Sequence, residues 1–122
     1  MRELVKAFKS LSDETRLRIV NLLLERECCV CEVMQALDIS QTRASRNLGV
    51  LHDAGFLKVR RDGLWALYSI DEESMKKYSP NLVQVVRNAL EGSRAVAGDR
   101  ERLMRAARVG PGCARQRRQA KR

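Results

Sequence analysis

Apolar residues recur at helical spacing through most of the chain. In RELVKAFKSL, Leu4, Val5, Phe8 and Leu11 share one face and predict a first helix. Ser12 reads as the N-cap of a second helix, with Asp13 and Glu14 in its first turn. Leu17, Ile19, Val20, Leu23 and Leu24 give that helix a wide apolar face. ERECCVCEV, residues 25–33, interrupts the pattern. A third, short helix then starts at Glu32, with Val33, Met34 and Leu37 inward. A fourth begins at the N-cap Ser40, turns Ala44, Leu48, Val50 and Leu51 to the core, and is closed by Gly55. The period then drops to two. Leu57 to Arg60 and Leu64 to Ile70 flank the turn signal Asp62-Gly63 and predict a two-stranded hairpin. After Pro80, Leu82, Val85, Val86, Ala89 and Leu90 line one face of a further helix, and a weaker one runs through DRERLMRAARV.

Helix, tight turn, helix and basic hairpin make a winged helix-turn-helix, so the fold expected is mainly α with a β-hairpin. Residues 1–92 form the DNA-binding and dimerisation domain, 93–109 an additional helix, and 110–122 a basic, disordered tail. A recognition helix puts its N-terminal residues into the major groove. Here these are Ser40, Gln41, Thr42, Arg43, Ser45, Arg46 and Asn47, side-chain types that read base edges or bind phosphate. Arg60 and Arg61 at the hairpin tip are placed to meet the DNA backbone or minor groove. A solvated polar helix face explains the helix alone as well; helix, Gly55 and cationic hairpin together favour DNA.

Charge agrees with this reading. Twenty-four Lys and Arg against fifteen Asp and Glu leave a net +9 over 122 residues, which favours a polyanionic partner. No apolar run approaches the ~20 residues of a membrane helix, and the N-terminus lacks the apolar core of a secretory signal. The chain is expected in the cytoplasm, where thiols stay reduced and cysteines serve as ligands or reactive groups. Aromatics are only 4%, and a small core of this kind often gains burial by dimerising.

Three of the four cysteines, Cys28, Cys29 and Cys31, crowd before the third helix; Cys113 lies in the tail. Cys31 falls at or beside the N-cap of that helix, where the dipole lowers a thiol pKa, with Arg26 adding to the effect. Were all three cysteines helical, Cys29 and Cys31 would point ~200° apart. Sulfurs closing on one atom must therefore fix or distort the turn that leads into the DNA-binding unit.

Residues 11–70 resemble the ArsR/SmtB-type winged-helix repressors through SDETRLRIV, SQTRASRNLGVLHDAGFL and RRDGLWALY, in family order. ECCVCEV resembles the thiol box of the arsenic- and cadmium-sensing members. The resemblance implies a homodimer on a palindromic double-stranded operator, released when a metal or metalloid binds. It also implies a dimer interface from the first and last helices, here Leu4 and Phe8 with Leu82, Val85, Val86 and Ala89. Sulfur-only ligation selects soft ions. Trivalent As(III) or Sb(III) wants three thiolates, the number that Cys28, Cys29 and Cys31 supply, whereas cadmium, lead or zinc prefers about four ligands. The family's arsenic sensors carry a cysteine where this chain has Met34, so the third sulfur is Cys28 or Cys113.

Cys28 and Cys31 also form a C-x-x-C pair, so a redox-responsive repressor is the competing reading, beside a Cd/Pb/Zn-responsive one and a thiol-metal buffer without DNA. Lone His52 makes no metal site. No phosphate loop, nucleophile–base set or carboxylate pair suggests an enzyme, and no organic cofactor is implied.

Overall fold

A computed structural model describes residues 1–75 and 81–109. Seven helices and one hairpin follow in chain order: α1 (Arg2–Leu11), α2 (Glu14–Glu25), α3 (Val30–Leu37), α4 (Gln41–Asp53), β1 (Leu57–Asp62), β2 (Trp65–Ile70), α5 (Glu72–Met75), α6 (Leu82–Leu90) and α7 (Arg94–Arg105). Cys113 and the basic tail lie outside the described residues.

Three helix boundaries and the hairpin turn differ from the sequence expectation. Asp13, not Ser12, caps α2, accepting the Arg16 N–H at 3.0 Å, while Ser12 closes α1. Helix α3 starts at Val30 rather than Glu32, so Cys29 is its N-cap and Cys31 lies inside its first turn. The last helix starts at Arg94, capped by Ser93, well before DRERLMRAARV. A terminal carboxylate can hold orphan N–H groups more tightly than a hydroxyl can, which favours Asp13 over its neighbour. Gly63 and Leu64 form the hairpin loop, with Asp62 paired to Trp65 and Gly63 at φ +61.

The core lies between α2, α3 and α4. Ile19, Leu22, Val33, Leu48 and Leu51 are wholly buried in it, and Phe56, Leu57 and Ile70 join it from the base of the hairpin. Helix α7 is integral to this body rather than an appendage. It packs on α2 and α3, buries Val96 and Leu103, and places Asp99 inside. Asp99 takes a bidentate pair from Arg18 (2.8 and 2.6 Å) and a further hydrogen bond from Arg102 at 2.9 Å. An apolar surface remains uncovered elsewhere: Phe8 is 53% exposed and Val85 58%, with Leu4, Val5 and Ala89 also exposed, while Leu82 and Val86 pack partly on the core.

Candidate nucleic-acid interface and thiol site

Asp38 ends α3 in the left-handed conformation, which the short Asx side chain tolerates, and Ser40 then accepts the Arg43 N–H to open α4. This turn buries Ala44, Leu48 and Leu51 and leaves Ser40, Gln41, Thr42, Arg43, Ser45 and Arg46 exposed on one side. The face is not uniformly free. Arg43 donates to Thr15 Oγ1 at 3.1 Å. Asn47 is half-buried; its carbonyl accepts from Arg16 (3.1 Å) and its amide donates to the Arg43 carbonyl (2.9 Å). Arg16 also donates to the Ser10 carbonyl at 2.6 Å, so it ties α1, α2 and α4 together through Asn47. Arg46 makes no hydrogen bond or ion pair among the described residues.

The two wing arginines differ. Both are exposed, but Arg60 grips the Glu27 carboxylate with Nε and Nη2, while Arg61 makes no ion pair among the described residues. The Arg60 hydrogen bond holds the Glu27 carboxyl below the usual carboxylate range. Periodicity gave no hint of this pairing, which spans 33 residues.

Glu27 belongs to the thiol stretch. Chain 26–28 leaves α2 in extended form, and Cys28 pairs with Tyr68 of β2 through N–H···O bonds of 3.0 and 2.8 Å. The stretch is therefore bridged to the two-stranded wing at this one residue pair. All three thiols are buried, yet they part company. Cys28 is part of the main core, whereas Cys29 and Cys31 form a separate buried cluster with Leu67, edged by Trp65 and Val109. Among the described residues no three His, Cys, Asp or Glu side chains converge as a metal-holding group.

Glu32, 3% exposed, organises the start of α3. It accepts the Cys29 N–H at 3.0 Å and pairs with Arg26 (2.6 Å) and Arg108 (2.9 Å). Burial opposes its charge, but these three donors hold its carboxyl below the ordinary range. Cys28 and Cys29 go the other way. Burial pushes Cys28 up to about 12, and Cys29 is also raised, chiefly by burial. At Cys28 desolvation of a buried thiolate outweighs the opposing Arg26 charge, and the Glu32 charge adds to the rise at both sulfurs. Ligand binding here must displace protons.

Sequence reasoning missed the segment that follows α7. Gln35 donates to the Ala107 carbonyl (2.8 Å) and accepts the Ala107 N–H (3.1 Å). Arg108 reaches Glu32, and the Trp65 indole donates to the Val109 carbonyl at 2.8 Å. Residues 107–109 thus strap α3 to β2 across the Cys29–Cys31 cluster. The contacts span up to 76 residues, beyond any local signal.

Comparison with known proteins gives the same picture. A model of the bacterial regulatory protein family arsR matches residues 13–59. The cadmium resistance transcriptional regulatory protein CadC homolog of Staphylococcus aureus is 38% identical over 78% of this chain and 74% of its own length. The arsenical resistance operon repressor of Escherichia coli K12 is 48% identical over 54% of this chain and 57% of its own. Among solved structures, the homodimeric winged helix-turn-helix DNA-binding domain of a possible ArsR-family regulator from Mycobacterium bovis superposes with a TM-score of 0.61. That match has 30% identity and covers 75% of this chain and 83% of that one. No helix of the described residues is long and apolar enough to cross a membrane.

Proposed function

The chain belongs to the arsR family of bacterial regulatory proteins, and we propose that it is a homodimeric repressor released from a palindromic operator when As(III) or Sb(III) is bound by its buried thiols. The family supplies the DNA-binding repressor; the inducer and its ligands are our reading. One observation carries it: Cys29 and Cys31 share a buried cluster at the first turn of α3, the helix that leads straight into α4. Soft sulfur donors suit a thiophilic metalloid. The relatives named for arsenical resistance support the same inducer class.

DNA binding follows from the fold. Two α4 helices related by a dimer axis enter successive major grooves ~34–36 Å apart. Arg46 and the exposed N-terminal residues of α4 read bases, and Arg61 meets phosphate. The exposed faces of α1 and α6, with Leu4, Phe8, Val85 and Ala89, are the surfaces a second copy covers. The setting is cytoplasmic, where the thiols remain reduced.

Release is a linkage effect. A ligand a hundredfold above its dissociation constant supplies ~2.7 kcal/mol to the form that binds it. Drawing Cys29 and Cys31 together shifts the start of α3, and the Cys28–Tyr68 pairing carries that shift to the wing. A cadmium-responsive repressor is the second reading, supported by the relative named for cadmium resistance. Titrating the protein, reduced by a phosphine, with arsenite, antimonite and Cd(II) separates them. Operator binding is followed by fluorescence anisotropy. Release at the lowest concentration by arsenite or antimonite is the expected result. Release only by Cd(II), or only by an oxidant, discards the metalloid reading.

A further inference from the structure

We infer that residues 107–109 are an opening cover on the Cys29–Cys31 pair, latched by Gln35, Glu32 and Trp65, and that a thiophilic ligand reaches the two sulfurs only while this strap is lifted. The inference rests on the thiol ligation proposed above and names the step that controls it.

The two sulfurs are closed in. Cys29 is 2% exposed and Cys31 5%, too little for a ligand to meet either sulfur without a movement. Leu67 of β2, with Trp65 beside it, and Val109 of the strap pack on the pair. Leu67 is fully buried and sits inside the hairpin register opposite Arg60, so moving it takes the wing apart. Helix α3 holds Val33 and Met34 in the main core, so moving it opens the core. The strap is the part of this enclosure that can leave alone.

Its attachments are polar and few. Gln35 donates to the Ala107 carbonyl at 2.8 Å and accepts the Ala107 N–H at 3.1 Å. Arg108 donates to Glu32 at 2.9 Å, and the Trp65 indole to the Val109 carbonyl at 2.8 Å. Ala107 is exposed, and Arg108 and Val109 are half-buried, so lifting them uncovers little apolar surface. A segment held this way opens at a small fraction of the global unfolding free energy. Helix α7 stays behind. Leu103 anchors it in the core, and it ends at Arg105, with Ala106 already extended. The strap swings from Ala106 without unwinding a turn.

Glu32 joins the cover to the site. The carboxylate that receives Arg108 also accepts the Cys29 N–H and pairs with Arg26. A closed strap therefore steadies the first turn of α3, and an open one loosens the turn that carries both thiols. Access to the sulfurs and freedom of the helix start rise together.

Alkylation of the full chain, reduced by a phosphine, with iodoacetamide reads each sulfur separately when the labels are located by peptide mass spectrometry. Cys28 is the internal control, because it lies in the main core and not under the strap. Gln35→Ala and Arg108→Ala should each speed labelling of Cys29 and Cys31 about tenfold, the worth of the hydrogen bonds removed. Reaction through a minor open state follows the population of that state. Cys28 should keep the parent's rate. Loss of the Arg108 cation by itself slows a nearby thiolate, so a rise in that variant reports access. Arsenite uptake, followed by native mass spectrometry, should quicken by a similar factor. Unchanged labelling of Cys29 and Cys31 in both variants would overturn the cover. An equal rise at all three sulfurs would overturn it too, since the whole fold would then be what protects them. Faster alkylation with no arsenite adduct in any of the proteins would leave the cover standing and sink the ligation proposed for the site.

Discussion

Cys28 and Tyr68 hydrogen-bond each other twice through the main chain, at 3.0 and 2.8 Å. The thiol stretch is therefore bridged to the wing as well as being the entry to α3. Under the proposed function, a change at the thiols would act on α4 through α3 and on the hairpin through this pairing.

Arg46 and Asn47 are neighbours in unlike settings, one exposed and the other half-buried and bonded to Arg16. Arg46→Ala should weaken operator binding with little change in melting temperature, since the side chain is exposed and unpaired among the described residues. Asn47→Ala strips the acceptor from Arg16 and should cost about 1–2 kcal/mol of stability. Anisotropy titrations beside thermal melts test this. Equal stability losses in both variants would refute the division.

Glu27 restrains a cation of the wing. Glu27→Gln frees Arg60 for phosphate and should tighten operator binding. The salt dependence should steepen by about one in log–log slope, the value of one added phosphate contact. Arg61→Ala should lower that slope by a similar amount. Unchanged slopes in both would remove the wing from the interface.

Alkaline pH should destabilise the protein through Cys28. Its folded pKa of about 12 exceeds that of an unfolded thiol, so the folded chain keeps a proton that the unfolded chain loses. The contribution is complete below pH ~8.5 and declines as pH rises toward 12, by up to about 1.4 kcal/mol per pH unit. Cys28→Ala should show a shallower fall in denaturant midpoint between pH 9 and 11. Parallel curves for the two proteins would contradict the burial argument.

Asp99→Ala removes the buried acceptor shared by Arg18 and Arg102. Both arginines retain some access to water, so the expected loss is about 2–3 kcal/mol rather than the full cost of stranding a buried charge. Urea denaturation measures it. A neutral result would mean that α7 is held by its apolar face alone.

Short-range chemistry made much of this protein legible in its sequence. Helical and two-residue periods marked α1 to α4, the hairpin and α6. The caps at Ser40, Asp38 and Gly55, and the turn glycine Gly63, were readable because each satisfies backbone groups within a few residues. Those signals, with the charge balance, sufficed for a winged helix-turn-helix that binds DNA.

Tertiary structure alone decided how the candidate site is shared out. Cys28 and Cys29 are adjacent in sequence, yet one joins the main core and the other the Leu67 cluster, because an N-cap residue in extended conformation turns away from the bridged residue before it. The same burial raised the Cys28 and Cys29 thiols, since desolvation depends on what packs around a sulfur and not on its position along a helix. The commitments of Arg60 to Glu27, Arg108 to Glu32 and Trp65 to Val109 join residues 33, 76 and 44 positions apart. A linear pattern carries no record of such pairs, because they form only when separately folded elements are brought to one surface.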